Sequence, residues 1–234
     1  GGAADYEIPG SHELTAIDTG DVCLNIDTRY FAEHGLPEPT SIRDLTRPEY
    51  RDMTVVENPA TSSPGLAFLL ATIASDPDGW QDYWRQLHDN GLEVVDGWTQ
   101  AYSVEFSGSS GNGPRPIVVS YASSPPVEVG ADGAAPPTRA LEGTCFRQVE
   151  YAGVLHGTDH PEAAGQLVDF LLSDAVQRDL PEQMYVFPVQ RDTPLPEAFE
   201  KYAARPAHPL TMDPERIGEN RDEWIRQWRG IVLG

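Results

Sequence analysis

The chain has 234 residues, enough for one large domain or two modest lobes, and its hydrophobic content of 39% is that of a globular protein. Its 37 acidic and 16 basic residues give a formal charge of −21, which repels nucleic-acid backbones and argues against a nucleic-acid partner. The acidity by itself fits solubility as well as the attraction of a cationic ligand. No apolar run approaches the roughly 20 residues that span a bilayer.

Predicted strands alternate with predicted helices, which is the pattern of a largely parallel or mixed sheet covered on both faces. The strands are predicted at 14–27, 53–58, 92–96, 116–122 and 144–155, and the helices at 66–75, 78–90, 97–102, 161–180, 195–204 and 213–232. Two of the extended segments, 14–27 and 144–155, enclose a compact block. That arrangement is typical of a lobe entered by one crossing strand and left by another, with a ligand cleft at the hinge.

Three predicted strands end in loops that carry hydroxyl or aromatic side chains. Ser62 and Ser63 precede a buried helix, whose free N–H groups and dipole can bind an anion or a polar oxygen. The second loop leads into Trp98, and the third carries Tyr121 and further serines. Because ligands of open α/β sheets bind at the carboxyl ends of strands, we expect a hydroxyl-lined aromatic pocket that suits a flat cationic ring. A plain helix cap and a core tryptophan are the alternatives.

Motifs for catalysis or metal binding are not evident. The six histidines lack zinc-type spacing, and neither a G-x-S-x-G elbow nor a P-loop occurs. We therefore predict that the protein is not an enzyme and has neither a metal site nor a cofactor. A hydrolase or transferase with a carboxylate pair is the alternative from another class, and it would show turnover. Cys23 and Cys145 fit one disulfide as well as two buried thiols.

Several short stretches together resemble a known family. Pro39–Tyr50, followed by Asn58-Pro59 and Thr61–Gly65, resembles the periplasmic substrate-binding proteins of the iron, polyamine and thiamine importer group. Further stretches, in their order and spacing, are similar to the thiamine-binding branch: Asp96–Tyr102, Val119–Pro125, Met184–Val189, Pro196–Lys201 and Arg221–Trp228. The resemblance covers nearly the whole chain, from position 14 to the end.

The resemblance implies a two-lobed α/β periplasmic binding protein fold of type II that captures thiamine or a thiamine phosphate for the permease subunits of an ABC importer. The family's ligand contacts correspond here to Ser62, Ser63, Trp98, Tyr121, Ser123, Ser124 and Tyr185. Stretches 18–20 and 148–150 are similar to the two hinge strands, which in an exported protein favours a disulfide between Cys23 and Cys145. A binding protein for ferric ion or another small solute is the alternative.

The resemblance also implies an organisation and a location. We expect residues 1–22 to hold a remnant of the first lobe and a hinge strand, 23–145 the second lobe, and 146–234 a hinge strand with a helical return. Family members carry further residues before position 14, so we expect much of the N-terminal lobe to be absent and the helices of 161–232 to expose apolar surface. The resemblance implies a periplasmic or cell-surface protein, which meets the membrane only through the transporter or a removed lipid anchor. Because residues 1–10 show no signal peptide, we expect the export signal to be absent from this chain.

Overall fold

A long strand, β1, runs through the middle of the fold in the computed structural model, which describes residues 2–8 and 10–234. The strands are β1 (Leu14–Asp27), β2 (Thr54–Glu57), β3 (Glu93–Val95), β4 (Ile117–Tyr121), β5 (Thr138–Ala140), β6 (Phe146–Gly153) and β7 (Phe187–Pro188). The helices are α1 (Thr28–His34), α2 (Ser63–Ser75), α3 (Trp80–Asp89), α4 (Trp98–Gln100), α5 (Pro161–Leu171), α6 (Asp174–Met184), α7 (Glu197–Tyr202) and α8 (Pro214–Val232).

These strands form one mixed sheet. Its order is β3-β2-β4-β1-β5, and β6 and β7 also pair with β1. β2 is parallel to β3 and β4, whereas β1 is antiparallel to each of its partners. β1 and β6 pair from Leu14 opposite Gly153 to Val22 opposite Phe146. The two crossing segments predicted from the sequence are therefore neighbours in the sheet.

Most predicted elements are confirmed, because their apolar patterns match the faces that they bury. α2 is buried almost all round, as a helix that is apolar on every side requires. α3 buries Trp80, Trp84 and Leu87 on one face. Trp84 packs edge-to-face on Trp228 of α8, with ring centroids 5.5 Å apart. Helices α2, α3 and α8 thus share one core on one face of the sheet.

Two predicted helices differ from the structure. Segment 161–180 is not one helix, because α5 ends at Leu171 and Ser173 caps a new helix by accepting a hydrogen bond from the Val176 N–H. The helix predicted at 97–102 forms only α4, and the chain continues as a π-helical turn over Ala101–Glu105. β5 was not predicted, and the sequence left 184–189, which contains β7, open as strand or loop, since strands of three and two residues are too short to show a period.

The other face of the sheet carries a smaller core and a disulfide. Val55, Val118 and Phe106 belong to this core. Beside it, a disulfide joins Cys23 in β1 to Cys145, just before β6. Both cysteines are buried and pack with Ala122, the residue that follows β4. The bond therefore holds the start of β6 close to β1, and the residue after β4 packs against it.

Apolar side chains are exposed in the C-terminal part of the chain. Leu167 and Phe170 each expose 57% of their surface, and α5 has no buried residue. Within residues 2–8 and 10–234, none of the helices is both long and apolar enough to cross a membrane. The predicted divisions after residues 22 and 145 fall inside β1 and next to the start of β6. The assignment of the segments to two lobes stays a prediction.

Candidate functional site

Three neighbouring parallel strands bring their carboxyl ends to one edge of the sheet. β2, β3 and β4 end at Glu57, Val95 and Tyr121, and the register places Glu57 beside Val95. Parallel neighbours end on the same side, so the loops after them lie along a common edge. The predicted convergence of the three strand tips is therefore confirmed.

Four aromatic side chains meet at this edge, and we call them the aromatic cluster: Trp98, Tyr102, Tyr121 and Tyr185. The indole of Trp98 stacks on Tyr102, with centroids 4.9 Å apart and planes inclined by 10°. The centroid of Tyr185 lies 5.1 Å from that of Trp98, and the centroid of Tyr121 lies 6.4 Å from it. The structure thus brings together the three aromatic residues proposed from the sequence and adds a fourth.

Tyr102 is the site residue that the sequence reasoning missed. Its spacing of four residues from Trp98 was the available signal, because residues so spaced share a helix face. The ring is buried, and its hydroxyl is 3.5 Å from the Ser124 carbonyl oxygen, to which it donates. Burial raises the pKa of the Tyr102 phenol, and the nearby Glu128 raises it further. Tyr102 therefore supports one side of the indole as a neutral ring.

A chain of hydroxyl groups fixes the orientation of Trp98. The indole N–H donates to Ser120 Oγ at 2.8 Å, and Ser120 Oγ lies 2.7 Å from Ser124 Oγ. Both serines are fully buried. An indole that is stacked and hydrogen-bonded at the same time is held in one rotamer, so Trp98 forms the fixed wall of the site.

Tyr185 is held from a different element. It follows α6 in the left-handed conformation, with φ 60° and ψ 33°, a conformation that costs a residue with a side chain about 1–2 kcal/mol. The Ser123 hydroxyl donates to the Tyr185 carbonyl oxygen at 2.6 Å. The loop after β4 and the end of α6 are therefore joined directly next to the aromatic cluster.

The four serines proposed as ligand contacts fall into two groups. Ser62 caps α2 by accepting a hydrogen bond of 3.4 Å from the Gly65 N–H, and Ser63 is exposed. Ser123 and Ser124 have no exposed surface, and each hydroxyl already has a protein partner. The first pair is open to a ligand, whereas the second pair positions Tyr185 and Trp98. Contact of any of the four with a ligand stays a prediction.

Carboxyl groups lie close to Tyr121. Burial raises the pKa of Asp18 to about 7, and the neighbouring Glu150 contributes to that rise. Burial also raises the pKa of Glu57 to about 8. The pKa of the Tyr121 phenol is raised, first by burial and then by the charges of Glu150, Glu57 and Asp18. This edge of the sheet therefore favours positive charge. In the described ranges 2–8 and 10–234, no three His, Cys, Asp or Glu side chains are grouped as a metal site.

The Trp98 ring lies close to each of the other three rings of the aromatic cluster. A flat ligand between two rings requires about 7–8 Å, twice the 3.5–4.0 Å contact distance of carbon atoms. The 5.1 Å between Trp98 and Tyr185 is shorter, so stacking between these two rings requires one of them to move by about 2–3 Å. Since Trp98 is fixed by Ser120 and Tyr102, the ring that has to move is Tyr185.

Known proteins share this architecture. The family model described as bacterial extracellular solute-binding protein matches residues 3–209. The chain belongs to this family. A solved structure titled periplasmic thiamin binding protein superposes with a TM-score of 0.83 at 26% identity, covering 98% of this chain and 70% of the other. A ferric binding protein from Campylobacter jejuni superposes with a TM-score of 0.69 at 15% identity, covering 95% and 71%, and shows the common fold alone. The periplasmic binding protein fold expected from the sequence is therefore confirmed.

Curated relatives of this solute-binding protein carry one name. Proteins named thiamine-binding periplasmic protein from Salmonella typhimurium and Escherichia coli are each 30% identical over 197 residues, which is 83% of this chain. The relative of the same name from Brucella suis is 29% identical over 234 residues, 96% of this chain and 66% of its own length. The chain spans 58% of the length of the first two relatives. The similarity to thiamine-binding proteins inferred from the sequence is confirmed.

Proposed function

We propose that this solute-binding protein captures thiamine or a thiamine phosphate outside the cytoplasm and delivers it to the permease subunits of an ABC importer. The observation that carries the proposal is the aromatic cluster, in which Trp98 stands fixed at the sheet edge with Tyr121 and Tyr185 beside it. The names of the relatives support the same ligand. Binding and release of an unchanged solute require no catalytic group.

The chemistry of the ligand matches that of the sheet edge. Thiamine has two flat rings, and its thiazolium ring carries a positive charge. A cation over the face of an indole or phenol gains about 0.5–2 kcal/mol, and more as water is removed. The formal charge of −21 attracts a cation from solution. Aromatic faces and carboxyl groups at one edge thus favour a flat cation over a neutral or anionic ring.

The start of α2 offers a place for the polar tail. Ser62 and Ser63 stand at the N-terminus of this 13-residue helix, where backbone N–H groups lack partners within the helix. Such a terminus favours a hydroxyl or phosphate oxygen. The ring stack at the aromatic cluster and the tail at α2 would then hold the two ends of one ligand.

Titration calorimetry with thiamine, thiamine monophosphate and thiamine diphosphate tests the proposal. We expect Trp98→Ala to weaken binding of the tightest of these ligands by about 1–3 kcal/mol, or about 5- to 150-fold in Kd, through lost stacking and buried area. Phe170→Ala removes an aromatic ring that is 57% exposed on α5 and serves as the control, with unchanged affinity expected. Equal affinities of a folded Trp98→Ala variant and the wild type would remove Trp98 from the binding site.

Further measurements distinguish thiamine binding from ferric-ion binding and from catalysis. Native mass spectrometry of the purified protein identifies a co-purified ligand by its mass. A visible charge-transfer band on adding ferric iron, without heat on adding any thiamine compound, would replace thiamine by ferric ion. Conversion of the thiamine compound during the titration would instead indicate an enzyme.

A further inference from the structure

Two acidic side chains face each other across β1 and β6, and we call them the β1–β6 carboxyl pair: Asp18 and Glu150. The antiparallel register places them directly opposite one another. Alternate residues of a strand share a face, so Asp18 lies on the same face as Gly20, about 7 Å along the strand. A Cβ atom at Gly20 would lie 2.8 Å from the ring of Tyr121. The carboxyl pair is therefore adjacent to one ring of the aromatic cluster.

The pair lacks a compensating positive charge. Asp18 is only 4% exposed, and its Oδ1 atom has no hydrogen-bond partner. Glu150 accepts a hydrogen bond of 2.8 Å from the Gln148 amide, whose own oxygen is also buried without a partner. Among residues 2–8 and 10–234, no ion pair includes Asp18 or Glu150. A buried carboxylate at Asp18, opposite the half-buried Glu150 and without a cation, is unfavourable in the absence of a ligand.

The other charged groups nearby do not neutralise the pair. On the opposite face of the same strands, Arg147 is bound to Asp21, and Arg191 is bound to Asp5 of the N-terminal segment. The Tyr121 phenol of β4 is the neighbouring titratable group, its pKa is raised by burial and then by Glu150 and Asp18 as well as by Glu57 of β2, and α2 has no charged residue. The charged side chains of α5 and α6 are exposed: Glu162, Asp169, Asp174, Arg178, Asp179 and Glu182. Among the described residues, no nearby side-chain cation balances the pair, so either a proton on Asp18 or a bound cation has to do so.

We propose that the β1–β6 carboxyl pair is the counter-charge by which the site selects a cationic ring over a neutral ring of the same shape. The inference rests on the proposed function, because it names the recognition of charge within the same site. Asp18 is the residue that changes state. In the empty site it exchanges between the protonated and the ionised form, and when the cation binds to a protonated molecule, the proton leaves for solvent and the carboxylate remains beside the new positive charge.

The burial of Asp18 gives the expected dependence on pH. Because its pKa is raised to about 7, with burial as the first cause and Glu150 as the second, about half of the molecules carry the proton at neutral pH. A bound cation favours the carboxylate form and lowers this pKa. Affinity for a cation therefore rises as the pH rises through about 7, while affinity for a neutral ring stays level.

The experiment compares thiamine with 3-deazathiamine, in which a neutral thiophene replaces the thiazolium ring. Calorimetry in phosphate and in Tris at pH 7, two buffers with different enthalpies of ionisation, measures the number of protons released on binding. We expect the wild type to release up to about half a proton with thiamine and none with 3-deazathiamine. We expect thiamine to bind about tenfold more tightly than its neutral analogue at pH 8.

Substitutions assign the effect to the pair. We expect Asp18→Asn to abolish proton release, to weaken thiamine binding about tenfold at pH 8 and to leave 3-deazathiamine binding within twofold. Glu150→Gln should weaken thiamine binding in the same direction. The exposed Asp159→Asn makes the same change in net charge and should alter neither ligand. The wild-type comparison needs no variant, so it tests the inference even where Asp18→Asn does not fold.

The outcomes separate this inference from the proposed function. If the wild type binds thiamine and 3-deazathiamine equally well and releases no proton, the inference is wrong while the thiamine site stands. The same holds if Asp18→Asn preserves both the preference and the proton release. Absence of binding by both compounds and by the thiamine phosphates would overturn the proposed function and the inference with it.

Discussion

The buried carboxyl group of Glu57 makes the stability of the protein depend on pH in an unusual direction. Glu57 ends β2, is 1% exposed, and neither of its side-chain oxygens has a hydrogen-bond partner. Burial raises its pKa from the ordinary value of 4.5 to about 8. Between these two values the unfolded chain has lost the proton that the folded protein retains. Stability contributed by this group is therefore full below pH 4.5 and falls as the pH rises to about 8.

The Glu57→Gln variant keeps the shape of the side chain and removes its titration. The difference between pKa values of 4.5 and about 8, at about 1.4 kcal/mol for each pH unit, gives an upper limit of about 5 kcal/mol. We expect the variant to exceed the wild type in free energy of unfolding by about 2–5 kcal/mol at pH 9. At pH 5, where the folded protein keeps Glu57 neutral, we expect the two proteins to agree within about 1 kcal/mol.

Urea denaturation followed by tryptophan fluorescence, without reductant, at intervals from pH 5 to pH 9 measures this difference. Glu219→Gln, at an exposed position of α8, is the matched control, and its curve should remain parallel to that of the wild type. A difference between Glu57→Gln and wild type that is the same at pH 5 and pH 9 would show that Glu57 does not hold a proton in the folded protein.

Two further predictions concern the strands that meet at the site. The Cys23–Cys145 disulfide closes a loop of 122 residues, so the double alanine variant should lose about 3–5 kcal/mol of unfolding free energy in urea, and a loss below about 1 kcal/mol would contradict the chain-entropy account. Gly20→Ala places a Cβ atom 2.8 Å from the Tyr121 ring and should cost about 1–3 kcal/mol and weaken ligand binding. The control, Gly165→Ala, has open space around its Cβ on α5 and should leave stability equal or slightly higher in thermal denaturation.

The sequence was most informative where one local property decided the structure. The apolar run of α2, the face of α3 with Trp84 and the β-branched residues of β2 each specify an element through their own period. It failed where a single polar residue overrides the pattern, as Ser173 does between α5 and α6. The short strand β7 depends on its pairing with β1 rather than on its own two residues.

In the site, too, some features are marked in the local sequence, whereas others depend on packing against distant segments. The positions after β2, β3 and β4 were evident because strand ends and turn residues are marked in the sequence itself. The sequence did not show that the hydroxyls of Ser123 and Ser124 are turned inward, toward Tyr185 and Ser120. Which side of a loop a hydroxyl faces depends on elements packed against it from distant parts of the chain.

By itself, the sequence determined the alternation of strands and helices, the strand tips that carry the serines and the aromatic rings, and the similarity to a family of solute-binding proteins. Only the tertiary structure decided that Tyr102 supports Trp98 and that Asp18 lies opposite Glu150. The physical reason is register. A period fixes which residues of one strand share a face, but the partner across the sheet depends on how two distant strands align.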